Sequence, residues 1–114
     1  MFFNLYSIIS IDLSNFDSST VSDMSSMFYG CNKLESINFE NMNTSSLENM
    51  EYMFYDCQSL KYLDLSSFNT SLVSSMDYLF ASCLSLISIN LSKFNTKSVK
   101  RMNSMFKNDE SLIY

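Results

Sequence analysis

Three cysteines, a surplus of serine and two files of Asp and Asn are the residues of this chain whose types could do chemistry. Cys31, Cys57 and Cys83 are evenly spaced at 26 residues. A zinc site needs ligands that converge, and the chain contains no histidine. The thiols therefore read as buried packing groups, with Leu5 in the same file. Their odd number also argues against a disulfide framework. Without histidine the usual base for activating serine is missing, so no hydrolytic triad can be assembled and no enzyme is expected. Asp12, Asn38, Asp64 and Asn90 form one oxygen-bearing file, and Asp17, Asn43, Asn69 and Asn95 another. Rungs about 4.8 Å apart could in principle share a calcium ion. Neutral amides dilute the charge, however, and asparagine ladders with turn-capping side chains account for both files. No metal or other cofactor is expected.

The files exist because the whole chain repeats. Leu34, Leu60, Leu86 and Leu112 share one column, behind Ile8. Phe16, Met42, Phe68 and Phe94 share a second, and Phe2, Phe28, Phe54, Phe80 and Phe106 a third. The period is 26 residues throughout, without insertion or deletion. It divides the chain into one repeat array: a stub (1–7), full repeats 8–33, 34–59, 60–85 and 86–111, and a second stub (112–114). A fixed period of this length signals a stacked-repeat architecture.

Within one repeat, Leu63 and Leu65 alternate with Asp64 and Ser66, the period-two pattern of a short half-buried strand. Phe68-Asn69-Thr70-Ser71 reads as a turn, with Thr70 or Ser71 able to cap a helix. Ser45 and Glu48 have capping-box spacing. Val73, Met76, Leu79, Phe80 and Cys83 then fall on one stripe at helical periodicity. The methionine columns Met24/50/76/102 and Met27/53/105 belong to that stripe and read as core. Asn4, Gly30, Asp56, Ser82 and Asn108 follow it, and their residue types tolerate a left-handed backbone. The predicted unit is strand, turn, short helix and tight return.

Stacked units of this kind predict an α/β fold: a leucine-rich-repeat-like right-handed solenoid. A parallel sheet would line its concave side and short helices its convex side. Strands at about 4.8 Å against helices at nearer 10 Å would force the curvature.

The residues carry a resemblance. The pattern LxxLDLSxFNTSxVxxMxxMFxxC is similar to the BspA-like leucine-rich repeat of bacterial and protist surface proteins, including the related repeat of mycoplasma surface lipoproteins. Residues 63–76 (LDLSSFNTSLVSSM) and 11–31 (IDLSNFDSSTVSDMSSMFYGC) match it best. The resemblance implies a repeat-built protein at the cell surface or secreted, with adhesion to host matrix or other cells among the family's roles.

Function is expected on the exposed strand face, at Ser10, Asp12, Ser36, Asn38, Glu40, Tyr62, Asp64, Ser88 and Asn90. The expected partner is a protein or a glycan, held by many weak polar contacts. Exposed tyrosine columns, Tyr52 with Tyr78 and Tyr29 with Tyr55, offer a second contact chemistry. Net charge is −5, with two basic and ten acidic side chains in residues 1–86 against five basic and two acidic in 87–114. An acidic chain with so small a positive patch argues against nucleic acid. No apolar run is long enough to span a membrane. The N-terminal MFFNLYSIISIDL lacks a basic n-region and a cleavage motif, and it keeps the phase of the repeat rather than reading as a signal peptide. Neither end carries a polar capping repeat, which fits a fragment of a longer array or self-association through open ends.

Overall fold

A computed structural model describes residues 2–113; Met1 and Tyr114, the outermost residues of the two stubs, lie outside it. Strands β1 (Ser10–Asp12), β2 (Ser36–Asn38), β3 (Tyr62–Asp64) and β4 (Ser88–Asn90) open successive repeats. Each is three residues long, with its central Ile or Leu turned inward and its flanking residues outward. β1 pairs in parallel with β2, Ile11 opposite Ile37, and β3 with β4, Leu63 opposite Ile89. Residues one period apart thus lie over one another.

The expected parallel sheet is split into two two-stranded sheets between β2 and β3. Its local cause is Phe39, which stands where the other repeats have Leu13, Leu65 and Leu91. Its buried ring sits edge-on to Phe28, Phe54 and Phe68. Asn41, two residues on, takes a left-handed φ of 63°, which no other repeat shows at that column. The extra ring volume and the local kink leave β2 and β3 adjacent but unpaired.

The larger correction concerns the apolar stripe. No helix is present among the described residues, so the fold is not an α/β leucine-rich-repeat-like solenoid with a convex helical layer. The stripe is instead a run of consecutive tight turns whose amides alternate in direction. Amides of Met50, Tyr52, Phe54 and Asp56 donate to carbonyls of Ser75, Asp77, Leu79 and Ala81 in the next repeat. Those of Met53, Tyr55 and Cys57 donate locally to Met50, Tyr52 and Phe54, three residues back. The first and third repeats do the same, with inter-repeat bonds of 2.7 to 3.0 Å. An α-helix would direct every amide four residues back along its own chain and leave none for a neighbour.

Left-handed residues recur at four-residue intervals and stop helix propagation. Gly30, Asp56, Ser82 and Asn108 have φ between 61° and 70°, and so, less expectedly, do Ser26, Tyr52, Tyr78 and Ser104 at 53° to 55°. Without helices, the spacing mismatch that was to bend the stack disappears. Concave and convex sides give way to a strand side and a turn side. The body measures 29 × 29 × 22 Å.

Between the two sides the apolar columns fuse into one core. Phe28, Phe54 and Phe80 are fully buried and stack face to face, 5.4 and 5.7 Å between centroids. Thr70 and Ser71 cap no helix. Ser18, Thr44 and Thr70 are buried and build a hydroxyl spine. The Thr70 hydroxyl donates to the Asn95 carbonyl at 3.1 Å and accepts the Asn95 amide at 2.7 Å. Thr44 treats Asn69 in the same way.

Candidate binding face

All nine residues expected on the strand face are exposed. Ser10, Ser36, Tyr62 and Ser88 form one file and Asp12, Asn38, Asp64 and Asn90 the next. Glu40 lies just beyond β2. Period-two alternation in the strands turns these side chains outward.

A turn immediately after each strand fixes the second file. The Oδ1 atoms of Asp12, Asn38, Asp64 and Asn90 accept the amides of Ser14, Glu40, Ser66 and Ser92 at 2.9 to 3.1 Å. Each side chain thereby caps its own corner. The Ser14 amide and hydroxyl hold the Asp12 carboxyl below the usual carboxylate range, and Ser66 does the same for Asp64. Both remain ionised at neutral pH. Asn38 and Asn90 add weaker donors to Asp12 and Asp64 respectively. Asp17, Asn43, Asn69 and Asn95 cap a second corner in the same manner.

Splitting of the sheet creates the main depression on this face. A cleft of about 390 Å³ lies at the β2–β3 seam, lined by Asn38, Phe39, Glu40, Asn41 and Asp64 among others. No backbone hydrogen bond joins the two strands there. The cleft therefore combines two carboxylates, two amides and free main-chain groups. Beside it Tyr62 is 65% exposed, an aromatic in a file of serines.

The turn side carries a charged network that the sequence pattern did not single out, and the tyrosine columns that it did. Arg101 pairs with Glu51 and, at 3.2 Å, with Asp77, while the Ser75 hydroxyl donates to Glu51 at 2.6 Å. Three successive repeats are tied together by this network, and its only sequence signal was a lone arginine in a column that otherwise holds Asp23, Asn49 and Ser75. The tyrosines form a continuous half-exposed slab. Tyr52 stacks on Tyr78 at 5.0 Å, Tyr29 on Tyr55 at 4.8 Å, and Tyr52 meets Tyr55 edge-on at 5.7 Å. Their ring faces cover one another, which leaves edges and hydroxyls to a partner.

Cys31, Cys57 and Cys83 are free and buried, one in each of the first three repeats. Burial pushes all three thiols up, which keeps them protonated. Among the described residues no group of three or more His, Cys, Asp or Glu is placed to hold a metal, and no helix is long and apolar enough to cross a membrane.

No curated protein and no solved structure matches the chain. Over residues 1–113 its sequence does match a family described as Mycoplasma protein of unknown function, DUF285, and the chain belongs to that family.

Proposed function

We propose that this chain is a non-enzymatic binding or adhesion module of a repetitive surface protein, and that it engages a protein or glycan through the strand face. The observation that carries the reading is the pre-set array of outward polar side chains, held by corner hydrogen bonds before any partner arrives. Because those residues lose little freedom on contact, many weak interactions can sum to useful affinity. The cleft at the seam and Tyr62 supply depth and an aromatic anchor. Kinship with BspA-like surface repeats, and a location at the surface or outside the cell, rest on the repeat pattern and the mycoplasma family.

A second reading is association of copies through the end repeats. Phe94, Val99 and Met102 are more exposed than Phe68, Val73 and Met76, which occupy the same columns one repeat earlier and are buried. Charge favours opposite ends, since residues 1–86 are acidic and 87–114 basic.

One set of variants tests both. Asp12→Asn and Asp64→Asn keep the corner hydrogen bond, as Asn38 and Asn90 do, and remove only the charge; Tyr62→Ala removes the ring. The triple variant is expected to keep the native circular dichroism spectrum and to lose at least tenfold in binding to a glycan array or a panel of purified matrix proteins. Undiminished binding would remove the strand face from consideration. Sedimentation of the same samples tests the second reading, which a monomer at high concentration excludes.

A further inference from the structure

Each cysteine thiol donates to a phenylalanine carbonyl one repeat back. Cys31 reaches Phe2, Cys57 reaches Phe28 and Cys83 reaches Phe54, at 2.9, 3.2 and 3.1 Å. The next position in that file is Asp109, and the matching acceptor is the carbonyl of Phe80. Carbonyls of Phe28 and Phe54 each receive a local amide as well as a thiol. Among the described residues, that of Phe80 receives only the Cys83 amide. Asp109 Oδ1 accepts the Cys83 amide at 2.9 Å, while Oδ2 is buried and has no partner. A donor is missing at the carbonyl, and an oxygen able to carry a proton stands unused in the file that supplies it elsewhere.

We propose that Asp109 is a proton-operated latch: as the neutral acid its Oδ2–H takes the place of the thiol and donates to Phe80, locking residues 106–113 onto the third repeat. As a carboxylate it has only lone pairs to offer a carbonyl oxygen. The buried anion then draws in water or swings outward, and the segment loosens. Leu112 and Ile113, with Phe106, line the apolar groove at this end of the core, so the latch controls how that groove is presented.

The surrounding groups favour this behaviour. The titratable group that faces Asp109 from the third repeat is the Cys83 thiol, which Asp109 itself pushes upward. Asp56, one repeat further back, also acts on Cys83 and adds negative charge. On the segment itself Lys107 and Glu110 are exposed to water. Arg101, on the preceding part of the same repeat, is engaged by Glu51 and Asp77. Burial raises the Asp109 carboxyl to about 6, with the Cys83 amide acting against the shift. A native state that binds its proton more tightly than the unfolded chain loses stability as pH rises from the ordinary carboxylate range through that value. Asp12, Asp17 and Asp64 are shifted the other way and lose their contribution only below the ordinary range, so the two windows separate.

The test is amide exchange of the full chain by NMR, corrected for intrinsic rates, with the Asp109 carboxyl carbon followed as pH varies. Protection of the Asp109 and Leu112 amides should fall by up to about tenfold between pH 5 and pH 7, the change that a group titrating near 6 supplies over that interval. Asp109→Cys continues the thiol file and should abolish the dependence, with protection at pH 7 no lower than that of the native chain at pH 5. Asp109→Asn places an amide donor at the carbonyl and should also be independent of pH. Constant protection of the native chain across this range, or a dependence that persists in Asp109→Asn, would overturn the proposal.

Discussion

The strand side and the turn side of each repeat exchange the roles their sequences suggest. The strand side has the clean alternation of a β-structure, yet its ladder is three residues long and breaks between β2 and β3. The turn side has the spacing of a helix, yet it carries the ladder that runs without interruption. Parallel bridges join Asp23, Asn49, Ser75 and Arg101, and alternate amides cross every junction between repeats. Period-two alternation reports which residues face inward, whereas continuity of pairing depends on whether each rung presents the same volume to the next. The turn side does so, with Phe28, Phe54 and Phe80 in line; the strand side does not, because Phe39 interrupts a leucine column.

The largest expected effect tests that continuity. Phe80 is fully buried between Phe54 and Phe106, with centroids 5.7 and 5.3 Å away. Phe80→Ala should cost about 3–5 kcal/mol in urea unfolding, since a close-packed stack cannot collapse around the lost ring. A loss below about 1 kcal/mol would mean that the turn side is not the rigid half of the molecule.

An intermediate effect is expected where the two sides join. Thr70→Val keeps nearly the same shape but leaves both the amide and the carbonyl of Asn95 without their buried partner. The expected cost is about 1–3 kcal/mol. Calorimetry of this variant beside Thr96→Val, at an exposed position of the same column, isolates the contribution of burial.

Much of this arrangement was legible in the residues. The period placed Cys31, Cys57 and Cys83 in one file, and strand alternation placed all nine polar residues outward. The left-handed conformation expected of Asn4, Gly30, Asp56, Ser82 and Asn108 is present at each. The helix was misread for a physical reason. Met24, Met27, Phe28 and Cys31 lie at intervals that bring residues to one side of a helix, and a run of tight turns closing three residues back brings the same residues inward. Composition held a counter-signal, since Ser, Tyr, Asn and Asp fill the intervening positions and favour helix weakly. The second left-handed column had none: Tyr52 and Tyr78 are poor residues for φ near 55°, and only their stacking in the assembled molecule shows what holds them there. Thr70 suggested a cap because a hydroxyl beside a turn commonly is one; its actual bond reaches the following repeat, which local spacing does not reveal.

The smallest effect separates the two sides by its sign. Ser104 on the turn side is exposed and held at φ 53°. A residue with a Cβ costs roughly 1–2 kcal/mol there, against the 0.5–1 kcal/mol that glycine loses through its greater freedom when unfolded. Ser104→Gly should therefore raise stability by up to about 1 kcal/mol. Ser88, exposed in β4, has ordinary extended backbone, so Ser88→Gly should lower stability by about 0.5–1 kcal/mol. Thermal unfolding of the two variants in parallel reads the difference directly. If both lower the transition, the backbone at Ser104 is not left-handed, and the alternation of amide directions that distinguishes the turn side from a helix loses its basis.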